Sequence, residues 1–66
     1  MQIIVNGAAN EVTEDLTLAE LIEQLQLAGQ RLAVEINEEL VPRSRFAEHR
    51  LGDQDRVEII RAVGGG

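Results

Sequence analysis

Six residues, RAVGGG from Arg61 to Gly66, pose the first chemical question. Glycine lacks the Cβ that would keep a chain out of a narrow channel. Read as a terminus, Gly66 presents an α-carboxylate that no side chain shields, with Gly65 and Gly64 as a flexible lead from Val63. A carboxylate is a poor electrophile. Another molecule's active site can, however, close around one so unhindered. Three extended residues beyond Val63 span about 10 Å, enough to enter a cleft while a folded domain stays outside.

The other reactive residue types offer less. His49 is the sole histidine, and nothing near it in sequence reads as a nucleophile or an orienting partner, so it is expected to be a solvated surface residue. Asp53 and Asp55 are spaced like the start of a calcium loop but lack its glycine and distant bidentate glutamate; they read as turn residues. Glu11, Glu14 and Asp15 precede a helical stretch, where negative charge suits the positive end of the dipole. Arg43, Arg45 and Arg50 fit either an acidic strip on a partner or a salt-bridged edge. The glycines are not a phosphate loop, since no helix follows them. No catalytic constellation emerges, so the chain reads as a non-enzyme with no bound cofactor.

The missing residue types are equally telling. Without cysteine the chain has no disulfide, thiolate metal site or thiol nucleophile. All six basic residues are arginine, so no lysine amine stands ready to attack an activated end. The net charge of −6 argues against nucleic acid and for a partner with a basic docking face. No segment reads as a signal peptide or membrane span, and a cytoplasmic protein is expected. Sixty-six residues are close to the lower limit for a domain without staples, with a core worth only about 3–5 kcal/mol net. Most apolar residues must therefore hold the fold.

The elements that position the tail are readable from period and punctuation. MQIIVNG predicts a strand closed by the turn dipeptide Asn6-Gly7, with NEVT as its partner. Thr17 and Glu20 form a capping box ahead of Leu18, Leu21, Ile22 and Leu25, an apolar stripe at helical spacing that Gly29 is placed to end. RLAVEIN alternates, with Leu32, Val34 and Ile36 on one face. NEE turns the chain, and LVPR is extended, its Pro42 suited to an edge. Ser44 is placed to cap a short helical turn with Phe46 inward, and RVEIIRA is the last strand.

A single helix with one stripe must cover one face of a mixed sheet. The predicted class is α+β: a β-grasp, ubiquitin-like fold with the first and last strands parallel at the centre, residues 1–62 folded and 63–66 a flexible tail. With Met1, Ile3, Val5, Val57 and Ile59 facing the helix, Ile4 and Ile60 face away. They are expected to be neighbours on the open face, with Ala62 and Ala33 close by. Such a cluster is either ordinary surface or a contact site. The tail favours the contact reading. Ordering three residues costs about 3–6 kcal/mol, comparable to covering two isoleucines at about 1.5–3 kcal/mol each.

The opening MQIIV resembles the start of ubiquitin. Over the full length, AVEINEELVPRS, LGDQDRVEIIRAVGGG and the ending at Gly66 resemble the ThiS family of bacterial sulfur carriers in thiamin biosynthesis. The resemblance implies that the Gly66 carboxylate is adenylated with ATP by a ThiF-type adenylyltransferase related to ubiquitin-activating enzymes. It is then converted to a thiocarboxylate, whose sulfur goes to a ThiG-type thiazole synthase making the thiazole phosphate of thiamin. Two alternatives share the Gly-Gly end. One is the small subunit of molybdopterin synthase, whose members tend to be longer and often carry a proline-containing run before the glycines, both absent here. The other is a ubiquitin-like protein modifier. A third, of another class, is a binding module with an idle tail.

Overall fold

The computed structural model describes residues 1–62. Val63, Gly64, Gly65 and Gly66, and with them the expected tail, lie outside the described residues.

The chain opens with a hairpin of β1 (Gln2–Val5) and β2 (Ala8–Glu11). Asn6 and Gly7 both have positive φ, 48° and 83°, as a two-residue type I′ turn requires. That turn fixes the register. Ala8 must pair with Val5, and Gln2 ends opposite Glu11. The second strand thus begins at Ala8, earlier than the NEVT reading: turn geometry overrides the poor strand preference of alanine.

Helix α1 (Leu18–Gln24) starts where the capping box puts it. The Glu20 N–H donates to Thr17 Oγ1 at 3.2 Å, and the Thr17 N–H donates to Glu20 Oε1 at 2.9 Å. Two bonds to Oε1 hold the Glu20 carboxyl below its ordinary value near 4.5: the Thr17 backbone N–H is the largest cause, and its hydroxyl, donating at 3.0 Å, the next. Two further free donors of the first turn are satisfied from a distant loop. Leu18 N–H reaches the His49 carbonyl at 2.8 Å, and Ala19 N–H that of Phe46 at 2.9 Å.

The helix stops sooner than Gly29. Gln26 takes the left-handed conformation at φ 61°, donating to Glu23 O at 2.9 Å while Leu27 donates to Ile22 O at 3.0 Å. This is a Schellman ending, with partly buried Leu27 packed against the core. Gly29, at φ 82°, serves the following turn instead. Leu25 becomes the C-cap and is 36% exposed, so the buried stripe is Leu18, Leu21 and Ile22.

Strand β3 (Leu32–Ile36) turns through Asn37 and Glu38, both with positive φ, into β4 (Glu39–Val41). Pro42 then caps a 3₁₀ turn, Arg43–Arg45. Ser44 sits inside that turn and makes no capping bond, because the turn already begins at Pro42. Phe46 is buried as expected. The last strand, β5 (Arg56–Arg61), lies parallel to β1 and antiparallel to β3, giving the order β2-β1-β5-β3-β4. Ile3, Val5, Val34, Ile36, Val57 and Ile59 are all buried in one cluster with the helix stripe. Leu16 and Leu51 complete it from loops stitched together by a 2.8 Å bond from Leu51 N–H to Leu16 O.

Candidate functional site: the open sheet face at the end of the last strand

The strand that leads to the terminal glycines is central in the sheet and alternates cleanly. Val57 and Ile59 are buried, whereas Arg56, Glu58 and Ile60 are exposed. Ile60 lies 59% exposed opposite Ala33 of β3, and Ala62 N–H donates to Arg31 O at 2.9 Å. Ala33, Ile60 and Ala62 therefore form the apolar end of the open face, next to the exit of the chain.

Ile4 does not join them. It points away from the helix as expected, but the parallel register sets Ile4 opposite Arg56 and Val5 opposite Val57. Ile60 is four residues further along β5, about 13 Å at the rise of a strand. Ile4 instead neighbours Ala9 and Arg56 and is half-buried. Side-chain alternation predicts the face of each residue but not how far two strands are offset.

Two neighbours of the patch escaped the sequence reading. Glu35 and Glu58 stand directly opposite each other across β3 and β5, with Leu40 of β4 opposite Glu35 on its other side. Leu40 is 68% exposed. No ion pair among the described residues joins Glu35 or Glu58 to a cation. Like charges in direct opposition cost a little stability, and here they lie between two exposed apolar side chains. Alternation in LAVEI and RVEII signals that both glutamates point outward; their juxtaposition depends on register.

The remaining candidates resolve as scaffold. Asp53 accepts the Gln2 N–H at 3.0 Å, and Asp55 accepts the Gly52 N–H at 2.7 Å and the Asn37 amide at 3.0 Å. Both are turn residues. Asp15 pairs with Arg50 at 3.7 Å, while Glu11 and Glu14 lie 3.8 and 3.6 Å from the Met1 amine, so all three find ionic partners rather than only the helix dipole. Arg45 pairs with Glu48 at 3.3 Å, and Arg43 donates to the Gln30 carbonyl. Arg45 and Arg50 thus fit the salt-bridged reading, whereas Arg43 holds a backbone carbonyl instead of a carboxylate. His49 is half-buried rather than fully solvated, because its backbone is drawn in to receive the Leu18 N–H. It borders a shallow groove with Leu40, Pro42 and Arg45, on the far side of β3 from β5.

Among the described residues, five strands in this order, a parallel central pair and one α-helix on one face define a β-grasp protein. Comparison with known proteins narrows the class. The ThiS family model matches residues 3–66. Sulfur carrier protein ThiS of Escherichia coli strain K12 is 35% identical over 66 residues, covering all of both chains. The crystal structure of a thiamine biosynthesis protein (ThiS) from Geobacter metallireducens superposes with a TM-score of 0.85, at 35% identity and full coverage of both chains. A thiazole synthase from Paramagnetospirillum magneticum is 33% identical over the 66 residues, which are all of this chain but 20% of that protein. The chain belongs to the ThiS family.

Proposed function

We propose that this chain is the sulfur carrier that supplies thiazole formation in thiamin biosynthesis, with Gly66 as the loaded residue. The observation that carries this reading is a family match that runs through residue 66, and so includes the glycines. A ThiF-type adenylyltransferase directs the Gly66 carboxylate at the α-phosphorus of ATP, forming an acyl adenylate and releasing pyrophosphate. Hydrosulfide, supplied by a sulfur donor, then attacks the acyl carbon and AMP leaves. The resulting thiocarboxylate is anionic and nucleophilic, and the folded domain determines where it is delivered. The chain itself acts as co-substrate, not as catalyst. With no cysteine of its own, it cannot carry the sulfur as a persulfide.

The recipient is a thiazole synthase. The similarity of this chain to one fifth of such a protein supports that pairing. Ala33, Ile60 and Ala62 form the contact surface nearest the loaded end, with Val63, Gly64 and Gly65 as the segment that threads the partner. A cytoplasmic setting follows from the use of ATP, and no helix among the described residues is long and apolar enough to cross a membrane.

Mass spectrometry after incubation with the adenylyltransferase, ATP and a sulfur donor tests the reading. The expected product is one oxygen-to-sulfur exchange at Gly66. Conjugates with larger proteins would point instead to a modifier, and an unchanged mass to a binding module. Rescue of a thiazole auxotroph but not of a molybdenum-cofactor mutant separates the two carrier pathways. Deleting Gly66 abolishes the exchange while leaving the melting temperature unaltered; a large drop in melting temperature would tie the tail to the fold.

A further inference from the structure

Strand β5 outruns its parallel neighbour. Ile4 and Asn6 donate their N–H groups to Asp55 O at 2.9 Å and Val57 O at 2.8 Å, so the odd-numbered residues of β5 direct their backbone groups at β1. The next such residue is Ile59, and there β1 has already turned away at Asn6-Gly7. The gap is filled by one side chain. Asn6 Oδ1 accepts the Ile59 N–H at 2.8 Å, and Asn6 Nδ2 donates to the Ile59 carbonyl at 3.3 Å. A single carboxamide thus makes both bonds that a continuing β1 would have made to Ile59. On the other edge, Ala62 N–H is held by Arg31 O at 2.9 Å. The end of β5 is clamped from both sides immediately before position 63.

We propose that Asn6 is a positioning residue for the carrier reaction. Its amide keeps Ile59 in the sheet beyond the end of β1, and so sets both the outward direction of Ile60 and the take-off of the residues that follow. This rests on the sulfur-carrier reading above. A partner that closes around Gly66 meets a strand already ordered through Ala62; without the clamp it must order that stretch as it binds. The effect belongs in binding, not in the chemical step, because Asn6 is not a group that reaches the reacting carboxylate.

Asn6 also occupies a turn position at φ 48°, so the test must keep the turn. Asn6→Gly does so, since glycine accepts positive φ, while removing the amide. Asn6→Asp keeps the acceptor for the Ile59 N–H but cannot donate to the carbonyl. Amide hydrogen exchange and adenylation kinetics, followed by pyrophosphate exchange, are measured on the wild-type chain and both variants. In Asn6→Gly the Ile59 amide should exchange at least about tenfold faster, with Ile3 and Val34 unchanged. KM for the carrier should rise roughly tenfold at constant kcat, the effect of ordering about one further backbone residue on binding. Asn6→Asp should fall between. Unchanged Ile59 exchange, an unaltered KM despite faster exchange, or equal loss of protection across the whole core would each overturn the proposal. No turnover with the wild-type chain would instead sink the carrier reading, and the proposal with it.

Discussion

The two faces of one sheet behave as different materials. Toward the helix, Ile3 and Val34 are fully buried and Val57 is 1% exposed. On the reverse, β3, β4 and β5 present Ile60, Leu40 and a facing pair of glutamates to solvent. In β5 the boundary between the two is a single residue step, Ile59 to Ile60. A domain this small cannot cover both faces of its sheet, so one face holds the fold and the other is left open to solvent. The difference also bears on the proposed chemistry. A core of a few kcal/mol net commits most apolar residues to the fold, which suits a reaction proposed for a terminus that other proteins act on.

Substitutions that exchange the properties of the two faces test this contrast, and the largest effect belongs to the helix side. Val57→Asp places a carboxylate where no partner can reach it, a cost of several kcal/mol that matches or exceeds the whole stability. No cooperative melting transition should remain by circular dichroism. A well-folded variant would show that the core is not what holds this sheet.

The same change three residues later should leave the fold intact. Ile60→Asp is expected to alter stability by no more than about 0.5 kcal/mol, yet to weaken capture by the adenylyltransferase about 10- to 100-fold, the value of covering an isoleucine. Ile4→Asp, displaced along the sheet, should weaken it much less in the same calorimetric titration. Equal losses at both positions would mean that the contact surface extends across the whole open face.

Smaller effects come from the helix start. Thr17→Ala removes the acceptor for the Glu20 N–H and should cost about 1 kcal/mol, lowering the melting temperature by about 4–8 °C without changing sulfur loading. The smallest is a pH effect at Glu20. Its carboxyl is held below the ordinary 4.5 in the folded chain, so the carboxylate favours the native state above that pH. The gain is lost as pH falls from about 4.5 through the lower folded value. Stability of the wild-type chain relative to Glu20→Gln should therefore decline over that acidic range and stay level above it. A flat difference would show that the capping box does not depend on the charge.

Within each element, the residues reveal a great deal. The capping box at Thr17 and Glu20, the turn at Asn6-Gly7 and the alternation of LAVEI and RVEII are local, since each depends on neighbours a few positions away. Their faces come out as period and chemistry require. Each departure traces to a partner outside the segment concerned. Gln26 ends the helix in place of Gly29 because Leu27 gains burial against residues remote in sequence. Ala8 starts a strand because a turn assigns it to Val5. Asn6 reads as a turn residue, and its bonds to Ile59 involve a partner more than fifty positions away.

Local chemistry alone thus determined which side chains face the helix and where the helix begins, and it supplies the glycines on which the proposed activation rests. Tertiary structure alone decided how far β5 slides along β1. That offset separates Ile4 from Ile60 and leaves Ile59 to the amide of Asn6, while the register of β3 against β5 sets Glu35 against Glu58. The physical reason is that a strand's two-residue period fixes the direction of every side chain but is indifferent to a shift by two or four residues. Only the packing of Val5, Val57 and Ile59 beneath one helix selects among those shifts.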